Sequence, residues 1–591
     1  MASKLYTAFS VNAADQFVES LSETASDQYY VSYGKHIDYT ESSTPAPLDS
    51  AANSIWQTYD EMIGGKKVTS ADVTLAVKNY NWTNGTIYTA YDDTSTTLEG
   101  SQFYVTTTEG TNKHVWKCID NNSNAVSNQQ PLFSTVSSSL EQITINTNDG
   151  YQWRFMYTID DTTNNKFSSN NFIPVVSHSN ASGNAINGSI DFYKLTSFGN
   201  GYAVFANGAV VSNGSSSNTT TFTISSDSFT LSSNDDFYNT CGMYFTAGAA
   251  NGQYAIISDW DASANQITLA TPLTSTPNTS SRFEITPNVN VVGNGTGAKA
   301  RVRINTSTNT AANVQVIQRG SGYTHAEVTI AGNNSGGAAS ARAVISPPGG
   351  HASDPKNELY ARYVIVSTEF SNNELSNLQT HNDFRTVGLL KNPQFANVQV
   401  TYENSSVLLT PGNTVVDSIT GATGIIHFSN TSVIQLSNVV GTFIPSNTIY
   451  TSNVTITGLG TAKQTAVRVN ADDTRSNGNF FQQTTKYNIN MTSGGTFSED
   501  EVLTQDNYTG NAVVYFANTT QVSVTSVRGT GFAEDATRIV TGGTSGQTAI
   551  ITDTIHPDLN SGSGTVLYLE NIEPVSRSNT TTEALKLVIK F

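Results

Sequence analysis

GIIHFSNTSVIQLSNVVGTF, residues 424–443, and GNAVVYFANTTQVSVTSVRGTGF, residues 510–532, carry one pattern twice. In each, an apolar run ends in Phe, an Asn-Thr turn follows, a second apolar run returns, and Gly leads to another Phe. Val and Ile at strand spacing, bounded by Asn and Gly that tolerate positive φ, specify a hairpin. A pattern used twice predicts a small hairpin-based module, with Phe428 and Phe516 plugging equivalent core sites.

The same texture extends outward. From about residue 195, short apolar runs arrive every ~8–12 residues between Asn-Gly, Ser-Gly and Thr-Gly steps, the rhythm of small sandwiches or barrels. FGNGY (198–202) is echoed by RGSGY (319–323), and Gly297-Ala-Lys-Ala-Arg-Val-Arg-Ile304 by Gly337-Ala-Ala-Ser-Ala-Arg-Ala-Val-Ile345. Upstream, FYVTT (103–107), HVWKCI (114–119) and YQWRFMYTI (151–159) read as strands. TVLYLEN (565–571) and ALKLVIKF (584–591) read as strands near the C-terminus, the last docking into a sheet.

Helical signals are confined to the first 80 residues. Asn12 is placed to cap a short helix with Phe17, Val18 and Leu21 on one face. Ile55, Trp56, Tyr59, Met62 and Ile63 recur at three- and four-residue steps, with Gly64-Gly65 as the expected stop. Thr69 or Ser70 caps a third short turn. The fold class expected is therefore mainly β, a multi-domain β-sandwich architecture with a few short N-terminal helices and inserted small β-modules.

Charged residues are only 13% of the 591, against a usual share of about 25%, with Lys and Arg 29 and Asp and Glu 47 for a net −18. The only Lys/Arg cluster is Lys66-Lys67, so neither nucleic acid nor an anionic membrane is an expected partner. No apolar run approaches the ~20 residues of a span, and MASKLYTAFS lacks a signal-peptide core. Cys118 and Cys241 are isolated, which fits synthesis in a reducing cytoplasm. The Asn-x-Ser/Thr triplets, Asn81-Trp82-Thr83 among them, read as a by-product of composition.

No motif carries a reaction. His-Glu-x-x-His, paired-Cys, Gly-x-Ser-x-Gly and phosphate-loop patterns do not occur, so no catalytic residue, metal or cofactor is expected. The Gly-x-Gly pieces read as turn glycines. Asp259-Trp-Asp261-Ala-Ser263-Ala-Asn265 imitates a calcium loop, but Ala270 stands where a bidentate Glu belongs, and a polar hairpin turn is the simpler reading. Asp92-Asp93 and Asp160-Asp161 offer adjacent carboxylates, which on a strand point to opposite faces. Solvated loops explain them more simply. NDGYQWRFMYTI (148–159) lines a sugar-binding cleft or forms one strand of a buried sheet.

Several blocks resemble, in order, a phage baseplate family, the wedge subunit known as gene product eight of T-even-type contractile tails. LYTAFSVNAADQFVESLSET (5–24) resembles its opening, YYVSYGKHIDY (29–39) its aromatic-Gly-basic strand, SIWQTYDEMIGGKKV (54–68) its Trp-bearing helix, and VTSADVTLAVKNYNW (68–82) the segment after it. HVWKCID (114–120), NDGYQWRFMYTI and NDFRTVGLLKNP (382–393) match later blocks, and LYLENIEPV with ALKLVIKF looks like its closing hairpin with a Glu-Asn turn. Together they cover a little under a fifth of the chain.

The resemblance implies a structural, non-enzymatic virion protein of a contractile-tailed bacteriophage (a myovirus), made in the host cytoplasm. It implies a homodimer that holds other baseplate wedge proteins and peripheral fibre-attachment proteins and relays the rearrangement that triggers sheath contraction. It assigns Trp56, Trp82, Trp116, Trp153, Arg154 and Phe384 to core or subunit interface. Arg385 is the better interface candidate, since a guanidinium there forks onto a carboxylate or carbonyl or makes a local salt bridge. The domains expected are wedge core 1–194, inserted β-rich domain 195–375, return to core 376–397, repeated β-modules 398–552 and C-terminal strands 553–591. The alternative is a carbohydrate-binding receptor or tailspike-like protein, motivated by the Asn/Thr-rich modules and their aromatics.

Overall fold

The computed structural model describes residues 7–22, 27–35, 52–136, 144–212, 218–331, 337–370, 383–393, 398–403, 409–410, 412–429, 432–451, 462–469, 480–528, 531–559, 561–576 and 583–591. The protein is mainly β and multi-domain, built of several sheets and small barrels. Contacts divide it into two compact units, Met1–Ala14 with Leu75–Tyr363 and Lys590–Phe591, and Asp15–Thr74 with Val364–Ile589. No described helix is long and apolar enough to cross a membrane.

In the second unit a five-stranded sheet collects distant segments in the order Phe480–Gln482, Met62–Val68, Tyr29–Gly34, Asp383–Lys391 and Thr565–Ser576. Tyr30, Tyr59, Met62, Leu390, Phe481 and Leu559 form a common core on it. The expected helix ends early here: Ala52–Glu61 is helical, and the chain passes directly into the strand Met62–Val68. Gly64-Gly65 therefore stops no helix. A Cβ on Gly65 would lie 2.5 Å from the Phe481 ring and 2.6 Å from the Val31 carbonyl oxygen, so glycine is needed for close approach of three strands. The first helix, Thr7–Ser20, likewise begins upstream of Asn12, which lies inside it and caps nothing. Thr69 does begin the turn Ser70–Asp72, and the Asp72 carboxylate accepts its N–H at 3.0 Å.

Among the described residues, two four-stranded sheets and four closed six-stranded barrels carry the rest. Two lie in series in the second unit, with strands from Val398–Glu403 to Ala462–Val469 and from Thr485–Met491 to Thr548–Ile555. Numbered in chain order, the strands of both follow the cycle 1-4-3-2-5-6, two overlapping Greek keys. Even the irregularities coincide. The third-to-fourth strand ladder skips between Thr423 and Ile425 and between Ile426 and Phe428, matching the skips at Asn511/Val513 and Val514/Phe516.

The bulge at Val514/Phe516 corrects the expected plug at Phe516. An extra residue, Tyr515, turns Phe516 to the flank, where it is half-buried, and the Phe428 side chain lies outside the described residues. The buried equivalents are the later aromatics, Phe443 and Phe532.

The first unit holds the other two barrels, one nested inside the other. The outer barrel begins with Ile190–Ser197, resumes at Asn288–Gly293 and ends with Ser340–Ile345, in the same 1-4-3-2-5-6 cycle. Between its first and second strands the chain builds a complete barrel from Ala206–Ser212 to Arg282–Thr286. The nested barrel's order is 1-2-5-4-3-6, which becomes the common cycle when its first strand is counted last. It is a circular permutant of the others. Its walls show the expected alternation, as in Thr221–Ser226, where Phe222 and Ile224 point inward.

The calcium-like stretch is the tip of a nested-barrel hairpin. The Asp261 carboxylate accepts Ser263 N–H at 2.8 Å and Ala264 N–H at 3.1 Å, while Asn265 takes φ 50°. The two C-terminal strands form no hairpin. Glu570-Asn571 continues the strand Thr565–Ser576 against Asp383–Lys391, whereas Glu583–Lys590 neighbours Tyr363–Phe370 in another sheet.

Candidate functional site

The chemistry of the first unit gathers where its four-stranded sheet meets the outer barrel. Asn112–Asn121 and Tyr151–Ile159 are antiparallel neighbours, with Thr144–Asn146 as the last strand of that sheet. Strand alternation separates Trp153 from Arg154. Trp153 stacks on Tyr151 at 5.4 Å and meets Tyr88 edge-on at 5.5 Å, fully buried. Arg154 projects from the opposite face and lies directly across from Lys117 in the register. NDGYQWRFMYTI is thus a buried sheet strand with two different sides.

Both cations are buried, and acids from elsewhere answer them. Lys117 forms an ion pair with Glu358, at the end of the short helix Pro355–Glu358, and its ammonium lies 4.8 Å above the Tyr91 ring. Arg154 donates to the His351 carbonyl at 3.2 Å and the Asn184 carbonyl at 3.4 Å. Asp191, on the first strand of the outer barrel, lies 2.9 Å from Arg319 Nε and accepts from Ser189 Oγ at 2.6 Å. His351 stands between the two acids, 3.7 Å from Asp191 and 3.9 Å from Glu358.

Burial, then the neighbouring Lys117, Arg154 and Arg319, hold His351 far below the usual histidine range, so the imidazole is neutral. Burial also lowers Lys117 against the pull of Glu358, and brings Arg154 down to about 10 despite Asp191. Arg154 remains charged at neutral pH. The cluster brings together three basic side chains, Lys117, Arg154 and Arg319, and two acidic ones, Asp191 and Glu358. Beside it opens a groove of about 930 Å³, walled by Thr144, Asn146 and Gln152 of the sheet, Gly183–Ile186, and Gln315–Ser321 of the outer barrel.

The echoed glycine motifs build the two ends of the outer barrel: RGSGY lines the groove, and FGNGY packs by Asn309 and Ala311 at the other end of the strand Thr310–Ser321. In FGNGY, Gly199 and Gly201 have positive φ and the Tyr202 hydroxyl accepts Ala339 N–H at 2.8 Å. In RGSGY, Gly320 and Gly322 have positive φ and the Tyr323 hydroxyl accepts Ala298 N–H at 3.3 Å. Each Tyr thus captures an alanine of one of the two echoed Gly-Ala stretches. One arginine in each of those stretches is a fastener. Arg301 stacks 3.5 Å above the Tyr244 ring of the nested barrel and pairs with Glu284 at 3.3 Å. Arg342 grips Asp92 at 2.5 Å and Asp93 at 2.6 Å.

Asp92-Asp93 is accordingly a clasp rather than a solvated loop. Burial raises the Asp92 pKa, but hydrogen bonds from Thr94 and Lys194, with Arg342, outweigh it and bring the group to about 2. Asp160 caps the helix Asp161–Phe167 by accepting Thr163 N–H at 2.7 Å.

The remaining singled-out residues are dispersed. Trp116 is buried and donates to Thr107 Oγ1 at 2.9 Å. Trp82 is half-buried and donates to Ser127 Oγ at 3.1 Å. Phe384 is buried edge-on to Tyr33, and Arg385 is buried at a bulge in the Asp383–Lys391 strand. Trp56 is 53% exposed, lying over Gly562. Only Arg154 among them belongs to the charged cluster. Sequence reading passed over Lys117, Asp191, Arg319, His351 and Glu358. The available signal was a lone cation inside each of two apolar strands, HVWKCI and YQWRFM.

Among the described residues no group of three His, Cys, Asp or Glu is placed to hold a metal ion. No protein-family model matches the chain, and no curated protein matches it.

Proposed function

We propose that the chain is a structural subunit of the baseplate wedge of a contractile phage tail, acting as a homodimer that holds neighbouring wedge and fibre-attachment proteins. In this reading its work is mechanical: a rigid frame presents barrels to its neighbours and passes on the rearrangement that starts sheath contraction. One observation carries it. Blocks that carry the family resemblance, YYVSYGKHIDY, SIWQTYDEMIGGKKV, NDFRTVGLLKNP and LYLENIEPV, contribute adjacent strands to a single sheet although they span more than 500 residues. HVWKCID and NDGYQWRFMYTI likewise pair with each other. The barrels are intercalated between these blocks as self-closed cassettes, whose closure leaves no free sheet edge.

The test is reconstitution. The purified chain mixed with the other wedge proteins of its phage should migrate with them as one complex, and purified virions should contain it at several copies per particle. A chain that stays apart from those proteins and is missing from virions is not a wedge subunit.

A further inference from the structure

The groove beside Thr144 is polar; Arg319 is its lining cation, Asp191 stands beside it, and the buried Arg154 reaches Thr144 from below the surface. Two guanidiniums converge there on one hydroxyl: Arg319 Nη2 is 3.3 Å and Arg154 Nη1 3.5 Å from Thr144 Oγ1. Among the described residues Asp191 is the single carboxylate lining the groove; Glu358 lies outside the lining, engaged by Lys117, and His351 is neutral. Arg154 Nε is buried without an acceptor. Arg319, 29% exposed, keeps one side on Asp191 while lining the groove. Guanidinium geometry suits a second carboxylate. The side-chain amides of Asn146, Gln152 and Gln318 complete the walls, with Gln315 accepting from Arg301, and none of the described lining residues is aromatic. Amides match peptide groups at both donor and acceptor, whereas the described lining offers no ring platform on which sugars stack.

We propose that this groove binds an extended acidic polypeptide segment of a neighbouring subunit, its carboxylate on Arg319 and its peptide groups on the Asn and Gln side chains. The segment's source rests on the wedge reading; the groove's chemistry does not. Fluorescence anisotropy on the full chain tests it, using a labelled Thr-Glu repeat peptide and its Thr-Gln counterpart. The chain's net charge of −18 opposes indiscriminate uptake of an acidic probe. The acidic peptide is expected to bind about tenfold more tightly than the neutral one, and Arg319→Gln to abolish that preference. Asp191→Asn removes the competing carboxylate and should tighten binding several-fold, a gain that misfolding cannot imitate. Equal binding of the two peptides, an intact preference in a folded Arg319→Gln protein, or no gain in Asp191→Asn overturns the proposal. So does binding of polygalacturonate in place of the peptide. Peptide binding without wedge co-assembly would sink the wedge reading and leave the groove standing.

Discussion

Lys117 and Arg154 face one another on the buried side of a sheet, where two like charges are tolerated only because acids reach them from other segments. Removing water from an ion costs several kcal/mol, and a close partner repays most of it. Lys117→Met removes the partner and leaves Glu358 charged and buried, so it is expected to cost ~3–5 kcal/mol in denaturant unfolding. Adding Glu358→Leu removes the stranded charge and should restore most of that loss. A double variant no better than the single would show that the two side chains are not energetically coupled. The cations were visible in the sequence as interruptions of apolar strands. Their partners were not: Asp191, His351 and Glu358 lie 70 or more residues downstream of Lys117 in polar stretches whose local pattern resembles every other loop of the chain.

At the scale of elements, internal repetition was the most legible feature, and its limits are physical. The echo between FGNGY and RGSGY identified corresponding corners, and the structure gives each the same hydroxyl-to-backbone capture. Turn chemistry is local, so it shows in the sequence. Bulges are set by partners across the ladder, so the position of Phe516 could not be read from alternation, and Gly64-Gly65 resembled a helix stop because the Phe481 that packs on it is more than 400 residues away. The twin corners make a graded prediction. Tyr202→Phe leaves the N–H of buried Ala339 without its acceptor and should cost ~1–3 kcal/mol in thermal or denaturant unfolding. Tyr323→Phe breaks the longer of the two bonds, and to an alanine that is only partly buried. It should cost less. A larger loss at Tyr323 would mean that the corners are not held by these hydroxyls.

For the whole molecule, what the sequence could not convey is nesting. Short strands at even spacing announced small β-modules but not which strands close which barrel, since the outer barrel's first two strands are separated by an entire domain. The closure of the nested barrel makes that separation harmless. Its first and last strands pair, with Ala206 opposite Ile285, and Phe205 N–H donates to the Ile285 carbonyl at 3.0 Å. Entry and exit are therefore one strand spacing, ~5 Å, apart, a gap that a short Gly-containing turn bridges. Deleting Ala206–Ile285 and joining the cut ends through such a turn should leave the outer barrel folded, because its own ladders, including Val314 with Tyr193 and Asn288 with Arg301, are untouched. The cost expected is local. Arg301 loses Tyr244 and Glu284 but keeps Gln315 at 2.9 Å, so stability should fall by ~1–2 kcal/mol rather than collapse. Residues 203–287 expressed alone should fold as well, on a core that includes Trp260, Phe245 and Ile285. Amide hydrogen exchange on the deleted chain decides the matter. Protection retained in Thr296–Asn305 and Thr310–Ser321 marks an independent cassette, whereas its loss would mean that the nested barrel holds the outer one closed.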